Sequence, residues 1–208
     1  MKVLVFGAAG RTGRNIVSRA LGHGHDVTAF VHSRPLDLAH PQLAIVSGDV
    51  CDFDTVSSAV EGVEAVAFAV APGSGSGANS RETGIANVIH AMATFGARRL
   101  CAMSAAGTFA RTSRQLSLGY RMLIATTLRA TYDDLEAMEM RVMASDLDWT
   151  IVRPVGLSDE PASGHYRVEL QGKLLPKTSR ISREDVASLV VKSLETDTYL
   201  RRTVVIAQ

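Results

Sequence analysis

Three glycines near the start of the chain separate an apolar segment from an amphipathic one. Residues 3–6 are Val-Leu-Val-Phe, and Gly7, Gly10 and Gly13 follow at regular intervals. Apolar residues then recur at helical spacing, at Ile16, Val17, Ala20 and Leu21. An apolar run, a glycine turn and a helical stretch in this order predict a strand–turn–helix unit.

The glycines stand where side chains would obstruct such a turn. Gly7 would allow the tight turn off the strand, Gly10 a close approach of the backbone to a phosphate, and Gly13 close packing of the helix. The N–H groups of residues 11–14 would face an anion, which the helix dipole favours. The residues expected to hold a dinucleotide pyrophosphate are Gly7, Gly10, Arg11, Thr12 and Gly13. The alternative is a glycine-rich turn without a ligand.

Length and charge limit the classes of protein to which the chain can belong. Its 208 residues suffice for one domain with an ample core, expected to span residues 1–208. A net charge of +1 argues against nucleic acid or an anionic membrane as the main partner. The longest apolar run, residues 65–71, is too short to span a bilayer, and a strand from residue 2 leaves no signal-peptide pattern. We expect a cytoplasmic protein, monomeric or weakly dimeric.

The two cysteines, Cys51 and Cys101, have neither a C-x-x-C nor a zinc-ligand spacing. Cys101 lies in a predicted core strand. Both are expected to be reduced, unreactive thiols, and no metal site is predicted.

Apolar runs alternate with helical stretches along the rest of the chain. The predicted strands cover residues 2–6, 26–31, 43–47, 65–70, 99–104, 149–152 and 203–206. Predicted helices follow the glycine turn and cover residues 52–60, 80–95, 133–145 and 183–194, with a small hairpin at residues 164–176 as an extension on the substrate side. This alternation indicates an α/β fold, a doubly wound parallel sheet of the Rossmann type. Ligands of such sheets bind beyond the carboxyl ends of the strands.

The end of the second predicted strand bears on the choice of cofactor. In NAD-binding folds an acid about twenty residues past the glycines bonds the ribose 2′-hydroxyl. The corresponding residues 30–34 are Phe-Val-His-Ser-Arg, and Asp26 is at the other end of the strand. Arg34, with His32 nearby, would attract a 2′-phosphate, so NADP(H) is favoured over NAD(H). Alternatively, Arg34 is a solvated loop residue and an arginine of the first helix makes that contact.

Two further strand ends carry residues suited to a dinucleotide. Asp49, in the segment Gly-Asp-Val of residues 48–50, could accept a hydrogen bond from the adenine amino group. Asp49 or Asp52 could equally cap the following helix, and one residue can serve both roles. After the fourth strand, Ala71-Pro72-Gly73 could pass close under the ribose, and the glycine-serine run of residues 73–77 is a predicted loop at the pocket mouth.

Four segments together resemble the atypical short-chain dehydrogenase/reductases of the NAD(P)-binding, NmrA-like type. They are the glycine motif of residues 7–13, Gly48-Asp49-Val50, residues 145–154 (Ser-Asp-Leu-Asp-Trp-Thr-Ile-Val-Arg-Pro) and residues 182–187 (Ser-Arg-Glu-Asp-Val-Ala). The segment from Gly156 to Tyr166 and the short chain are most similar to the biliverdin reductase B/flavin reductase branch, which reduces flavins and biliverdin with NADPH. The resemblance implies cofactor contacts at Gly10, Arg11, Thr12, Gly13, Arg34, Asp49, Val50, Ala71, Ser104, Pro154 and Val155.

The chemistry that this resemblance implies centres on Ser104, at the end of the fifth predicted strand. A serine there helps to orient substrate or nicotinamide in the family; the alternative is a hydroxyl that caps the strand end. Ordinary members pair it with Tyr-x-x-x-Lys, in which the lysine lowers the tyrosine pKa. Here Glu136 stands four residues after Tyr132, and Ile124 four after Tyr120. The usual proton relay between alcohol and ketone is therefore absent or rebuilt.

Flavin reduction would depend least on the missing proton relay, because hydride transfer to a flavin needs little beyond stacking and solvent can protonate the product. A tetrapyrrole would need an acid near the reacting ring. Glu136 or Glu139 could be that acid, and the alternative is that both are ordinary exposed helix positions.

Residues 109–131 are interpreted as an insertion over the active site. They carry Arg111, Arg114, Arg121 and Arg129 with apolar residues between them. Such a lid would suit an anionic flat substrate such as FMN or FAD, although the arginines could equally form a solvated helix face. His165 is the one histidine of the predicted hairpin that could touch substrate, and Trp149 is expected in the core.

Two functions of different class follow. The first is an NADPH-dependent reductase of a small planar acceptor that is flavin, biliverdin-like or quinone-like. The second is a nonenzymatic NADP(H)-sensing regulator of the NmrA-like type. A third and weaker hypothesis is an epimerase-like sugar enzyme, which should bind a nucleotide-sugar.

Overall fold

The computed structural model describes residues 1–71, 79–109, 122, 126–170 and 180–208. The strands are β1 Lys2–Phe6, β2 Asp26–Val31, β3 Leu43–Ser47, β4 Ala65–Phe68, β5 Arg99–Met103, β6 Asp148–Pro154, β7 Gly156–Ser158, β8 Arg167–Leu170, β9 Arg180–Ser182 and β10 Arg202–Ala207. The helices are α1 Arg11–Gly22, α2 Phe53–Val60, α3 Ser80–Phe95, α4 Arg129–Met143 and α5 Arg183–Glu195, with a 3-10 turn at Asp197–Tyr199.

Eight of these strands form one sheet in the order β3-β2-β1-β4-β5-β6-β10-β8. All neighbours pair in parallel except β8, which runs antiparallel to β10. β7 and β9 form a separate parallel pair. The strand order reverses between β1 and β4, which opens a crevice at their carboxyl ends. The predicted doubly wound α/β fold is confirmed.

The sheet separates two apolar layers because successive strand residues point to opposite faces. In β1, Leu4 and Phe6 join the layer that α2, α3 and α4 cover, whereas Val3 and Val5 join the layer that α1 and α5 cover. The apolar stripe of α1 is buried as predicted, and so is Trp149.

Both cysteines are free thiols, as expected. Cys101 is fully buried in β5, and burial raises its pKa to about 12 against the opposing effect of Arg99. A thiol with that pKa stays protonated and unreactive at neutral pH.

Several element boundaries differ from the sequence-based expectation. α4 begins at Arg129 rather than at residue 133, and β6 extends to Pro154. The first arm of the predicted hairpin, Arg167–Leu170, adds to the edge of the sheet beside β10, where it covers otherwise open backbone groups. Residues 174–176, its expected second arm, lie outside the described part of the chain. None of the described helices combines the length and the apolar character that crossing a bilayer requires.

Candidate functional site

The glycine turn after β1 has a backbone that admits only glycine at its first position. Gly7 has φ 74°, and a Cβ atom there would lie 2.4 Å from the carbonyl oxygen of Ala69. The N–H of Gly10 donates to the carbonyl of Gly7 at 2.9 Å, and the N–H of Ala8 to that of Phe30 at 3.2 Å. These bonds fix the turn between β2 and β4, where the sequence predicted it.

Helix α1 begins directly after this turn with an uncovered amino end. Gly10 is its N-cap residue and supplies no side-chain hydrogen bond, and the first turn contains no acidic residue. The N–H of Arg14 donates to Gly10 at 2.9 Å, so the expectation that it would face a phosphate is wrong. The N–H groups of Arg11, Thr12 and Gly13 precede this first intrahelical bond and remain suited to an anion.

A cavity of about 220 Å³ opens beside the turn, at the carboxyl ends of β1, β2, β3 and β4. Six residues predicted to contact the cofactor line it: Gly7, Gly10, His32, Arg34, Val50 and Ala71. Of the other predicted contacts in the described chain, Thr12, Gly13, Asp49, Ser104, Pro154 and Val155 do not line it. Pro72 and Gly73, together with the loop of residues 73–77, lie outside the described residues.

The wall of the cavity at the end of β2 is basic. His32 and Arg34 are exposed there, and none of the described residues that line the cavity carries a carboxylate. An acid approaches this wall at His32, whose Nε2 atom lies 3.8 Å from Oδ2 of Asp49. Asp26 begins β2 at the opposite edge, as expected.

The two acids after β3 have different tasks. Asp52 is the N-cap residue of α2, accepting the N–H of Asp54 at 3.1 Å and the hydroxyl of Thr55 at 2.7 Å. Hydrogen bonding to Thr55 lowers the pKa of Asp52. Asp49 instead accepts the N–H of Cys51 at 2.9 Å within the turn. Of the two acids that could cap the helix, Asp52 therefore does so.

Arg11 does not point its guanidinium at this cavity. Its Nη1 atom lies 2.9 Å from Asp159, whose other oxygen is 2.6 Å from Arg183. The Arg11 and Asp159 side chains are both mostly exposed, so this contact is weak and separable. Arg11 thus presents its backbone to the glycine turn and its side chain to a neighbouring cleft, which Arg14 also lines.

Ser104 lies farther along the same carboxyl edge, directly after β5. Its N–H donates to Val152 at 2.8 Å, and its Oγ atom is 3.0 Å from Oγ1 of Thr108. The N–H of Ala106 donates to Pro154 at 3.0 Å, which joins the ends of β5 and β6. Ser104 and Pro154 therefore lie beside each other at the carboxyl edge of the sheet.

The turn after Ser104 is held down on α4. The Oε1 atom of Glu136 accepts the N–H of Phe109 at 3.1 Å, and Phe109 has φ 60°, a conformation that L residues seldom adopt. A Cβ atom at Gly107 would lie 2.6 Å from the hydroxyl of Tyr132, which is buried in the core. Tyr132 is thus buried with its hydroxyl against Gly107, and Glu136 is half-buried rather than an ordinary exposed position.

Glu139 is fully buried, so the alternative that it is an exposed helix position is wrong. The Nε atom of Arg153 donates to Oε1 of Glu139 at 2.9 Å, and its Nη2 atom donates to Oε2 of the same carboxylate. The guanidinium of Arg153 also lies 5.5 Å from the centre of the Phe109 ring. This fork-to-fork pair links α4, β6 and the turn after Ser104, and the sequence analysis missed it.

A second buried pair holds the wall of the cavity. Arg81, at the start of α3, donates to the carbonyl of Val70 at 3.1 Å and to Asp134 at 3.1 Å. Asp134 also accepts the N–H of Glu82 at 2.9 Å. Burial lowers the pKa of Arg81, which the charge of Asp134 opposes. Because Val70 lines the cavity, this pair fixes the end of β4 there; the sequence analysis missed it too.

Little of the predicted lid can be placed. Arg111, Arg114 and Arg121 lie outside the described residues. Arg129 opens α4 on the surface, with its Nε atom 3.6 Å from Asp133. His165 is exposed beside the amino end of α5.

Curated relatives match the chain in part or along most of its length. It is 42% identical over 65 residues to the 3 beta-hydroxysteroid dehydrogenase/Delta 5-->4-isomerase of Mycobacterium tuberculosis, covering 31% of this chain and 18% of that protein. It is 25% identical to the photosystem II assembly factor Ycf39 of Synechocystis over 98% of this chain and 61% of that protein. The chain thus spans less than two thirds of either relative.

Solved structures share the whole fold at low identity. One is a short-chain dehydrogenase/reductase from Veillonella parvula in complex with NADP, with a TM-score of 0.83 and 17% identity over 100% of this chain and 94% of that one. Another is a candidate NADH-flavin reductase from Streptococcus pneumoniae, with a TM-score of 0.81 and 21% identity over 100% and 99%.

The family profile covers far more of the chain than any single motif. Residues 7–197 match the profile described as NAD(P)H-binding. That range begins at the first glycine of the turn and includes the turn after Ser104 and every cavity-lining residue except Phe6. The chain therefore belongs to the NAD(P)H-binding family of Rossmann-fold proteins.

Proposed function

We propose that this protein is an NADPH-dependent reductase that transfers hydride to a small planar acceptor, flavin, biliverdin-like or quinone-like. The observation that carries the proposal is one continuous edge of the sheet. The glycine turn and the cavity of about 220 Å³ lie at one part of this edge, and Ser104 with Pro154 lies farther along it. A dinucleotide laid along the edge would reach from the cavity toward Ser104.

The residues that would hold the cofactor follow from that placement. Gly7, Gly10 and the N–H groups of residues 11–13 would bind the pyrophosphate, with the amino end of α1 favouring its charge. Arg34 and His32 would bind a 2′-phosphate, which favours NADP(H) over NAD(H). We propose that Asp49, Val50 and Ala71 border the adenosine, and that Pro154 and Val155 border the nicotinamide end. Bound there, the nicotinamide ring supplies the hydride.

Two side chains are proposed to act on the acceptor. Ser104 would orient it through a hydroxyl that Thr108 holds at 3.0 Å. Glu136 is proposed as the proton donor for acceptors that need one, because its Oε1 atom is tied to Phe109 close to Ser104 in the same turn.

The burial of Tyr132 and the lack of a lysine four residues later favour an acceptor that needs no tyrosine proton relay. The tyrosine of the short-chain dehydrogenase relay must reach the substrate, whereas Tyr132 is buried against Gly107 and is followed four residues later by Glu136 rather than lysine. An alcohol–ketone or epimerase reaction would need that relay. Flavin reduction needs none, and a candidate NADH-flavin reductase shares the fold over the whole chain.

A regulator that binds NADP(H) without turnover is the second candidate. It is favoured by the likeness to the assembly factor Ycf39, whose name describes a role in assembly and which aligns over 98% of this chain. Such a protein needs the glycine turn and the cavity but not the side chain of Ser104.

The two candidates separate in one assay. NADPH oxidation is followed by its absorbance with FMN, biliverdin and a quinone as acceptors, and NADPH binding is measured by calorimetry. A reductase turns over at least one acceptor, and Ser104→Ala lowers kcat about tenfold or more. Tight NADPH binding without turnover would replace the reductase by the regulator, and no heat with either nucleotide would overturn both.

A further inference from the structure

Two helices end side by side at the edge of the sheet opposite the cavity. α1 ends at Gly22 with His23 as its C-cap residue, and the chain turns through Gly24, with φ 78°, before β2 begins. α5, which packs against α1, ends at Glu195. This corner combines the carboxyl ends of both helices.

Three side chains converge at this corner. The Nδ1 atom of His23 and the Nε2 atom of His25 each lie 2.8 Å from Oε1 of Glu195. The three potential ligand atoms are all within 4.8 Å of one another. The His25 side chain is 11% exposed, whereas those of His23 and Glu195 are 34% and 27% exposed, so the group is backed by protein and open to solvent on one side.

The electrostatics of the corner favour a cation. The carbonyl groups at the ends of α1 and α5 contribute partial negative charge. The carboxylate of Glu195 adds a side-chain oxygen to this corner, within 2.8 Å of both histidine nitrogens. In the part of the chain that the structure describes, the ion-pair partners of Glu195 are these two histidines.

We propose that His23, His25 and Glu195 form a binding site for a divalent transition metal ion, with Zn²⁺ as its occupant. Two imidazole nitrogens and one carboxylate oxygen are ligands that Zn²⁺ accepts, and the solvent-facing side leaves its fourth position to water. Ligand atoms at about 2.0–2.2 Å from one zinc ion are about 3–3.5 Å apart. The two nitrogen–oxygen distances of 2.8 Å would therefore open slightly, and the two histidine nitrogens, which lie within 4.8 Å of each other, would move into that range. This site differs from the sequence-based expectation of no metal site, because only the fold brings Glu195, distant along the chain, beside His23 and His25.

The site joins the carboxyl end of α1 to that of α5. Since α1 carries the glycine turn at its other end, a metal here would stabilise the helix that holds the phosphates without contacting the cofactor. The inference does not depend on the proposed function, because the three ligands lie at the opposite edge of the sheet.

Zinc binding by the purified full chain tests the proposal. After treatment with EDTA and dialysis, ZnCl2 is titrated by calorimetry and thermal unfolding is followed with and without it. We expect one zinc ion per chain and a higher Tm, with no effect of MgCl2, because Mg²⁺ prefers an all-oxygen site. The affinity should fall about tenfold or more in each of His23→Gln, His25→Gln and Glu195→Gln.

Matched controls keep the result interpretable. His165→Gln removes an exposed histidine elsewhere, and Cys51→Ser removes the partly exposed thiol; both should bind zinc as the unaltered chain does. His23→Gln is the mildest of the three variants because its side chain is the most exposed, and circular dichroism checks its fold. An unchanged Tm with ZnCl2, or binding that survives in all three ligand variants, would show that the corner is only a hydrogen-bonded contact.

Discussion

Gly13 packs so closely on Gly7 that a Cβ atom at Gly13 would lie 2.1 Å from the Gly7 carbonyl oxygen. The obstacle is backbone, which cannot move aside without opening the turn. Gly13→Ala should therefore lower the free energy of unfolding by about 1–3 kcal/mol and weaken NADPH binding at least about tenfold. Urea unfolding and calorimetry measure the two effects.

Gly22, at the other end of the same helix, is the control. A Cβ atom there meets nothing within 4 Å. Gly22→Ala should be neutral or stabilise by up to about 1 kcal/mol, because alanine restricts the unfolded chain more than glycine does. Equal losses of NADPH affinity in the two variants would mean that the close packing of Gly13 on Gly7 is not what shapes the cofactor turn.

The buried pair of Glu139 and Arg153 predicts a strong coupling. Glu139→Met leaves the guanidinium buried without its partner and should cost about 3–5 kcal/mol of unfolding free energy. Glu139→Met with Arg153→Met should recover most of that loss, since two apolar side chains can replace a buried pair. A double-mutant cycle by urea unfolding measures the coupling.

The exposed pair of Arg98 and Asp148 provides the comparison for that cycle. Its side chains are 61% and 35% exposed, and the N–O distance is 3.1 Å. Arg98→Met should cost less than about 1 kcal/mol. A loss of that small size at Glu139 would show that the pair in the core is not a stabilising element.

The strands and the glycine turn could be predicted because their signals are local. The apolar run of residues 3–6 and the glycines after it determine their own conformation, and the alternation in β1 assigns its residues to two layers. Arg81 and Asp134 could not be paired in the same way, because each is an ordinary charged residue on a helix until α3 and α4 pack together. Glu139 was expected on the surface for the same reason.

The candidate site, too, could be predicted only where its signal is local in the sequence. His32 and Arg34 were found from one strand end, and the structure places both at the cavity. Asp49 and Asp52 could not be told apart, because capping depends on which carboxylate reaches the first N–H groups of α2. Only the fold shows that Tyr132 is buried, since Gly107 reaches it from another element.

We expect replacement of Glu136 to lower turnover with biliverdin more than turnover with FMN. Glu136→Gln keeps an oxygen that can accept the N–H of Phe109 but cannot deliver a proton. Turnover with biliverdin should fall about a hundredfold, whereas turnover with FMN should change little because solvent protonates reduced flavin. Steady-state NADPH oxidation with each acceptor measures this. A uniform change across both acceptors would assign Glu136 to holding the turn alone.

The hydrogen bonds to Asp185 lead us to expect that the free energy of unfolding depends on pH. Its buried carboxylate accepts N–H groups from Ser163 at 2.9 Å and Gly164 at 3.0 Å. Burial opposes ionisation, but these hydrogen bonds outweigh it and hold the pKa of Asp185 below its usual 3.8. The unfolded chain then binds the proton more readily, so this stabilisation is complete above the usual pKa and disappears as pH falls through the lower folded value.

Asp185→Asn removes that titration while keeping the shape of the side chain. The variant should be less stable at neutral pH, and its unfolding free energy should fall less steeply between about pH 5 and pH 3. Urea unfolding at a series of pH values measures both slopes. Parallel curves for the two proteins would remove Asp185 from the account of acid unfolding.

We expect Arg34 to make the protein bind NADPH more tightly than NADH. It lines the cavity at the end of β2, where no described lining residue carries a carboxylate that would suit a ribose 2′-hydroxyl. Arg34→Ala should weaken NADPH binding about tenfold or more and leave NADH binding nearly unchanged, because only NADPH carries the 2′-phosphate. Calorimetry with both nucleotides measures the difference.

Arg14→Ala is the comparison, since Arg14 lines the neighbouring cleft rather than the cavity. If the selective loss occurs in Arg14→Ala instead, the 2′-phosphate is bound from the first turn of α1 and not from the end of β2.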